Sequence, residues 1–208
     1  MACYAPIGCE YGSIAKKNGW VLGQSGQFTW MDPTHFGFQI FFTTMLQDVQ
    51  THYLERYPSS FRGIQLDDHF AIPASFGLKN GEQVLESLAE KLSEVIGREY
   101  LSLAPAVMPL AQDLYGVNWP KWMEAGYFFE VVPQTYTAQI SEFIVGLKLK
   151  LSYDNHPEIT AVGIRCSGSG SDSFAYSVKQ QIIFAEAEGV KAVAIWNQKC
   201  LISYSETT

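Results

Sequence analysis

Short β-type runs recur along this chain at roughly thirty to thirty-five residues, and that spacing limits the fold more than any other feature. The recurring runs are residues 63–67, 100–105, 128–134, 160–165 and 191–196, preceded by a sixth at 4–10. One strand with one helix fills such an interval, so the pattern reads as successive β-α units. The gaps carry helical signals. Asp32-Pro33 reads as an N-cap followed by a helix-starting proline, opening an apolar-periodic segment that runs from His35 to about Arg56. Asn80-Gly81-Glu82-Gln83 resembles a capping box ahead of a helix over residues 83–96. There Val84, Leu85, Leu88, Leu92, Val95 and Ile96 form one stripe, which Gly97 ends. Asn118 precedes a short helix that stops at Gly126. Residues 138–149 and 173–188 supply two more helices, the second closed by Gly189.

Largely apolar strands alternating with helices predict an α/β fold with a buried parallel sheet. Either a β/α barrel or an open doubly wound sheet satisfies the alternation. The length of 208 residues fits one domain, yet a closed eight-stranded barrel typically takes about 250. No G-x-G-x-x-G or Walker loop follows any strand, and Gly168-Ser169-Gly170-Ser171, without a lysine, reads as a flexible loop.

Composition removes several function classes. With 47% hydrophobic and 17% charged residues the chain is not intrinsically disordered. A net charge of −7, and basic residues never more than two in a row, argue against nucleic-acid binding and anionic membranes. The longest apolar stretch, residues 36–45, is broken by Gln39, Thr43 and Thr44 and is too short for a membrane span. No basic segment followed by an apolar run opens the sequence, so a signal peptide is not expected in it. Cys3, Cys9, Cys166 and Cys200 lack C-x-x-C spacing and are expected to be free thiols. His35, His52, His69 and His156 are scattered, so neither a metal nor another cofactor is expected.

In α/β folds the working residues lie at the carboxyl ends of strands. Those ends carry Glu10, then Asp67-Asp68-His69, Pro105-Ala106, Gln134-Thr135-Tyr136, Arg165-Cys166 and Trp196-Asn197. Strand parity puts Ile64 and Leu66 on the helix-covered face, and Gly63, Gln65 and Asp67 on the other. Asp67 is thus expected at the mouth of the sheet, with Asp68 beginning the loop. By the same parity Gln134 lines up with Val132, and Arg165 with Gly163. Two adjacent acids there suit acid/base chemistry or attack on an acetal carbon, because crowded carboxyls separate in pKa. A cationic Arg165 could hold one acid ionised. Tyr136 and Trp196 suit the apolar face of a sugar ring, while Gln134 and Asn197 suit its hydroxyls. Each residue also has a plainer use: a turn or cap for the aspartates, a solvated loop for Glu10, an ion pair for Arg165. Trp196 could be rim packing and His69 a loop hydrogen bond. Glu130, at the amino end of its strand, reads as structural.

At these residues a resemblance emerges. Gly63-Ile64-Gln65-Leu66-Asp67-Asp68-His69-Phe70, with Pro73 and Phe76-Gly77, resembles the signature of the bacterial glycosyl-hydrolase-like family ten proteins, found in cyanobacteria and other bacteria. Trp30-Met31-Asp32-Pro33-Thr34-His35 is similar to that family's segment before the third helix. Leu101-Ser102-Leu103-Ala104-Pro105 is similar to its fifth strand, and Val131-Val132-Pro133-Gln134-Thr135-Tyr136 to its sixth. Gln180-Gln181 fits its last long helix, and Glu10-Tyr11-Gly12 the end of its third strand, with a shorter loop after it. Arg62 stands where the family usually has an acid, and 192–196 replace its aromatic-rich last run. Nothing corresponds to its first two β-α units.

The resemblance implies a (β/α)8 TIM-barrel type of fold, incomplete, with about six β-α units corresponding to strands 3–8 over residues 1–208. It implies a glycoside hydrolase cleaving O-glycosidic bonds of a polysaccharide, with a bacterial cell-wall glycan in view, in a secreted or envelope location. Asp67 and Asp68 are the expected catalytic carboxyls, with Glu10 as a second-carboxylate candidate. His69, Gln134, Tyr136, Arg165, Trp196 and Asn197 are expected to bind substrate. The alternative is a catalytically inactive carbohydrate-binding barrel remnant, or a fragment whose exposed strand edges favour self-association or need a partner to complete the fold.

Overall fold

The structure, a computed structural model, describes residues 5–6, 10–25, 28–156, 158–167, 173 and 175–196. Its amino-terminal part is a small antiparallel sheet. Strand β1 (Ala5–Pro6) pairs with β3 (Phe28–Met31), which pairs with β2 (Val21–Ser25), and helix α1 (Glu10–Lys17) lies between β1 and β2 in the chain. This corrects the expectation of a parallel strand over residues 4–10: its described strand portion is antiparallel, and Glu10 opens α1.

The β-α alternation then begins with α2 (Phe36–Arg56), β4 (Ile64–Leu66), α3 (Gly81–Ile96) and β5 (Leu101–Leu103). It continues with α4 (Leu110–Tyr115), α5 (Trp119–Glu124), β6 (Glu130–Val131), α6 (Ile140–Ser152), β7 (Val162–Arg165), α7 (Ala175–Ala187) and β8 (Val193–Trp196). Strands β4, β5 and β6 are parallel neighbours, as are β7 and β8. Parallel bridges Val131↔Thr160 and Gln134↔Gly163 join the two groups. The result is one arc in the order β4-β5-β6-β7-β8. A doubly wound sheet reverses its strand order at a switch point. This arc does not, so of the two architectures open to the sequence it is the barrel-type one, without closure among the described residues.

Packing explains the arc's two faces. Helix α3 buries Leu85, Leu88, Leu92 and Ile96 of the stripe read from the sequence, together with Ala89, against Leu66, Leu101, Leu103 and Val131, while Val84 and Val95 of that stripe are partly buried. Beneath β7, Phe143, Leu147, Val162, Ile164, Val178 and Ala185 form a second apolar cluster. On the opposite, concave face the small set Ala104, Val132 and Ala161 packs together.

Two caps differ from expectation. Asp32 Oδ1 accepts from Thr34 N at 2.9 Å and from Thr34 Oγ1 at 2.6 Å. Its carboxylate is consumed in a turn, and α2 is capped instead by His35 Nδ1, which accepts from Gly37 N at 3.2 Å. Asn80 sits at φ 61° and its side chain makes no cap bond, so the capping box is absent. Glu82 accepts instead from Gln112 Nε2 and Asn118 Nδ2, at 3.1 and 2.9 Å. Gly97 (φ 87°) ends α3 as expected, a conformation that disfavours any residue with a Cβ.

Cys166 corrects the expectation of free thiols: it is disulfide-bonded, buried at the end of β7 where its N–H donates to the Trp196 carbonyl. The other three cysteines, the 168–171 loop and Asn197 lie outside the described residues.

Candidate functional site

The β4 alternation is the one that parity requires. Leu66 is buried on the helix side, whereas Gln65 and Asp67 are exposed on the concave side. Asp67 Oδ1 accepts from the Asp68 backbone N at 2.9 Å and from Gln134 Nε2 at 2.6 Å. Gln134 Nε2 also donates to the Ala104 carbonyl at 3.0 Å, and the Gln134 backbone N donates to the Pro105 carbonyl at 2.8 Å. Three successive strand ends therefore fix one carboxylate, which still faces solvent.

Asp68 turns the other way. Its Oδ1 lies 2.5 Å from His69 Nδ1. That hydrogen bond raises the imidazole pKa above its ordinary value; burial opposes the rise, and the charges of Asp68 and Asp67 add to it. The group whose proton the two acids favour is thus His69. Neither aspartate forms an ion pair with Arg165, contrary to the expectation that Arg165 would hold one ionised.

Tyr136 completes the group. Burial, followed by the charges of Asp67 and Asp68, pushes its phenol up to about 12. It therefore stays protonated at neutral pH and can donate a hydrogen bond. Gly163 permits this approach: a Cβ there would lie 3.2 Å from Gln134 Cα and 3.4 Å from Tyr136 Cε1.

Asp67, Asp68, His69, Gln134 and Tyr136 are thus brought together. Arg165 and Trp196 are register partners on β7 and β8, two residues beyond Gly163, itself the bridge partner of Gln134. Trp196 is 50% exposed, so it is an open aromatic surface rather than core. Glu10 does not stand at a parallel strand end, and its side chain lies outside the described part of the structure, as does Asn197.

Two features were not read from the sequence. Trp30 and Phe28 of the hairpin close on His69: Trp30 stacks on the imidazole at 5.7 Å and 23°, and Phe28 meets it edge-on at 5.4 Å. Deeper on the concave face, Gln65 Nε2 donates to Ser102 Oγ at 3.0 Å, and Ser102 Oγ donates to Glu130 Oε2 at 3.3 Å. Parity held the signal for this second row, since Ser102 alternates between two leucines and Glu130 shares the face of Val132 and Gln134. Among the described residues, no group of three or more His, Cys, Asp or Glu is placed to hold a metal ion. No helix there is long and apolar enough to cross a membrane.

Fold and site together describe a barrel-type α/β arc with carboxyl groups at its strand ends. No family model matches the chain, and no curated protein matches it. Among solved structures it is similar to a fungal endo-β-N-acetylglucosaminidase from glycosyl hydrolase family 18. The TM-score is 0.53 at 16% identity, over 76% of this chain and 54% of that one. The chain therefore spans about half the length of the enzyme it matches. At this identity the likeness is one of fold.

Proposed function

We propose that the chain is a glycoside hydrolase of the glycosyl-hydrolase-like family ten type, cleaving O-glycosidic bonds of a polysaccharide laid across the concave face of the arc. The observation that carries this reading is Asp67, exposed at the end of β4 yet fixed by Gln134 from the end of the next strand but one. Preorganised carboxylates at strand ends are what acetal cleavage needs: one group donates a proton to the leaving oxygen, and a carboxylate stabilises or captures the anomeric carbon. Asp67 is the catalytic carboxylate in this reading. Asp68 acts through His69, whose pKa its hydrogen bond raises, favouring the proton on the imidazole. Tyr136 donates to a sugar substituent, and Arg165 and Trp196 extend the platform for neighbouring rings.

The fold neighbour acts on β-N-acetylglucosaminides, which makes a glycan containing N-acetylglucosamine, such as a cell-wall glycan, the first substrate to try. The Cys166 disulfide supports an oxidising compartment outside the cytoplasm. The test is mass spectrometry of products after incubation with β-linked N-acetylglucosamine oligomers and with purified cell-wall glycan. Shorter oligomers support hydrolysis. Binding without any new product supports the inactive carbohydrate-binding form instead.

A further inference from the structure

We propose that Trp30 is a positioning residue for the Asp68–His69 pair: from the amino-terminal hairpin, its indole stacks on the imidazole and holds Nδ1 against the Asp68 carboxylate. The role of that pair in catalysis rests on the glycosidase reading; the positioning itself does not. The two rings of β3 box the imidazole, with Trp30 on its face and Phe28 on its edge. Trp30 is 6% exposed, and its Nε1 is buried without a hydrogen-bond partner, so packing alone sets the indole's place. Phe76 supplies that packing, at 6.2 Å from the Trp30 ring. Phe76 is itself seated on Gly23 of β2, where any Cβ would collide with its ring. A column of contacts thus runs from Gly23 through Phe76 and Trp30 to His69.

The electron-rich face of an indole also favours a cation over neutral imidazole. Among the described residues, the charged groups that act on the imidazole are Asp67 and Asp68, both from the end of β4. Strand β3 contributes rings and no charge. Removing the indole loosens the hydrogen bond to Asp68 and removes the aromatic face, both of which favour the unprotonated ring; relief of burial acts the other way, and the hydrogen bond, the larger influence, sets the net direction.

The test is an NMR titration of the histidine C2–H resonances in the full chain, with His69 assigned by His69→Gln, in Trp30→Leu and Trp30→Phe. The His69 midpoint moves down towards 6.5 in Trp30→Leu and by less in Trp30→Phe. Should Trp30→Leu fail to fold, Trp30→Phe, which keeps an apolar ring, decides. An unchanged His69 midpoint in a folded variant overturns the proposal. Hydrolysis assayed in parallel separates the two claims. A shifted midpoint without wild-type hydrolysis rejects the glycosidase reading alone, and hydrolysis with an unshifted midpoint rejects Trp30 alone.

Discussion

Gln134 Nε2 reaches Asp67 Oδ1 across 2.6 Å, joining two residues 67 positions apart in the chain. The contact depends on the strand register, because Gln134 is paired through its backbone with Pro105 on one side and bridged to Gly163 on the other. It turns three separate strand ends into one site.

Replacing Gln134 by Leu removes a hydrogen bond to a charged group, worth about 1.5–3 kcal/mol. Asp67 is exposed and water can replace the donor, so the loss falls on orientation more than on stability. The expected result is a fall of about tenfold to a hundredfold in kcat/KM for glycan hydrolysis, with Tm nearly unchanged.

The Asp68–His69 pair makes stability depend on pH with a definite sign. His69 is raised in the folded state, so its contribution is complete below the ordinary value of 6.5 and is lost as pH rises through the folded value. Both side chains are about a third exposed, at 31% and 39%, so screening keeps the effect to about 1 kcal/mol or less. Thermal unfolding between about pH 5 and 8 is expected to lose this component in Asp68→Asn, along with a lowered His69 midpoint by NMR.

Tyr136 is expected to remain protonated through the alkaline range, with burial as the main cause of its rise to about 12. In an ultraviolet absorbance titration the Tyr136 phenol should not contribute to the ionisation near 10. Tyr136→Phe should leave that part of the curve intact. The pH–rate profile should show no falling limb from this phenol near pH 10, while Tyr136→Phe should lower kcat/KM.

Lys150 and Asp154 form an ion pair at 2.9 Å in which each side chain is 1% exposed. Asp154 Oδ1 also accepts from His156 N and Thr160 Oγ1, both at 3.0 Å. Burial lowers the Lys150 pKa despite the partner. Asp154→Ala should therefore cost about 3–5 kcal/mol in urea unfolding, because it strands a buried ammonium. The double change Lys150→Met, Asp154→Leu should recover most of that loss.

Much of the arc was legible because its signals are local. The apolar stripe of α3 and the even spacing of the strands are set by the chain itself, and parity alone placed Asp67 on the open face. The hairpin was not legible. Its register shifts between Val21 and Gly23, which breaks the alternation that marks a strand. The parallel pairing expected of the run at 4–10 failed in its described part for a related reason, since short apolar runs do not reveal which partner they will pair with. The partner of Asp68 was hidden as well: His69 follows it directly in sequence, but nothing local announces the rings of Phe28 and Trp30 that pack on the imidazole.

The most direct measurement is the rate of glycan hydrolysis by Asp67→Asn, a near-isosteric change at an exposed residue that should leave the fold intact. With Asp67 as the catalytic carboxylate, the rate falls by about 10²–10⁴-fold while glycan binding persists. A rate equal to that of the wild type contradicts the assignment.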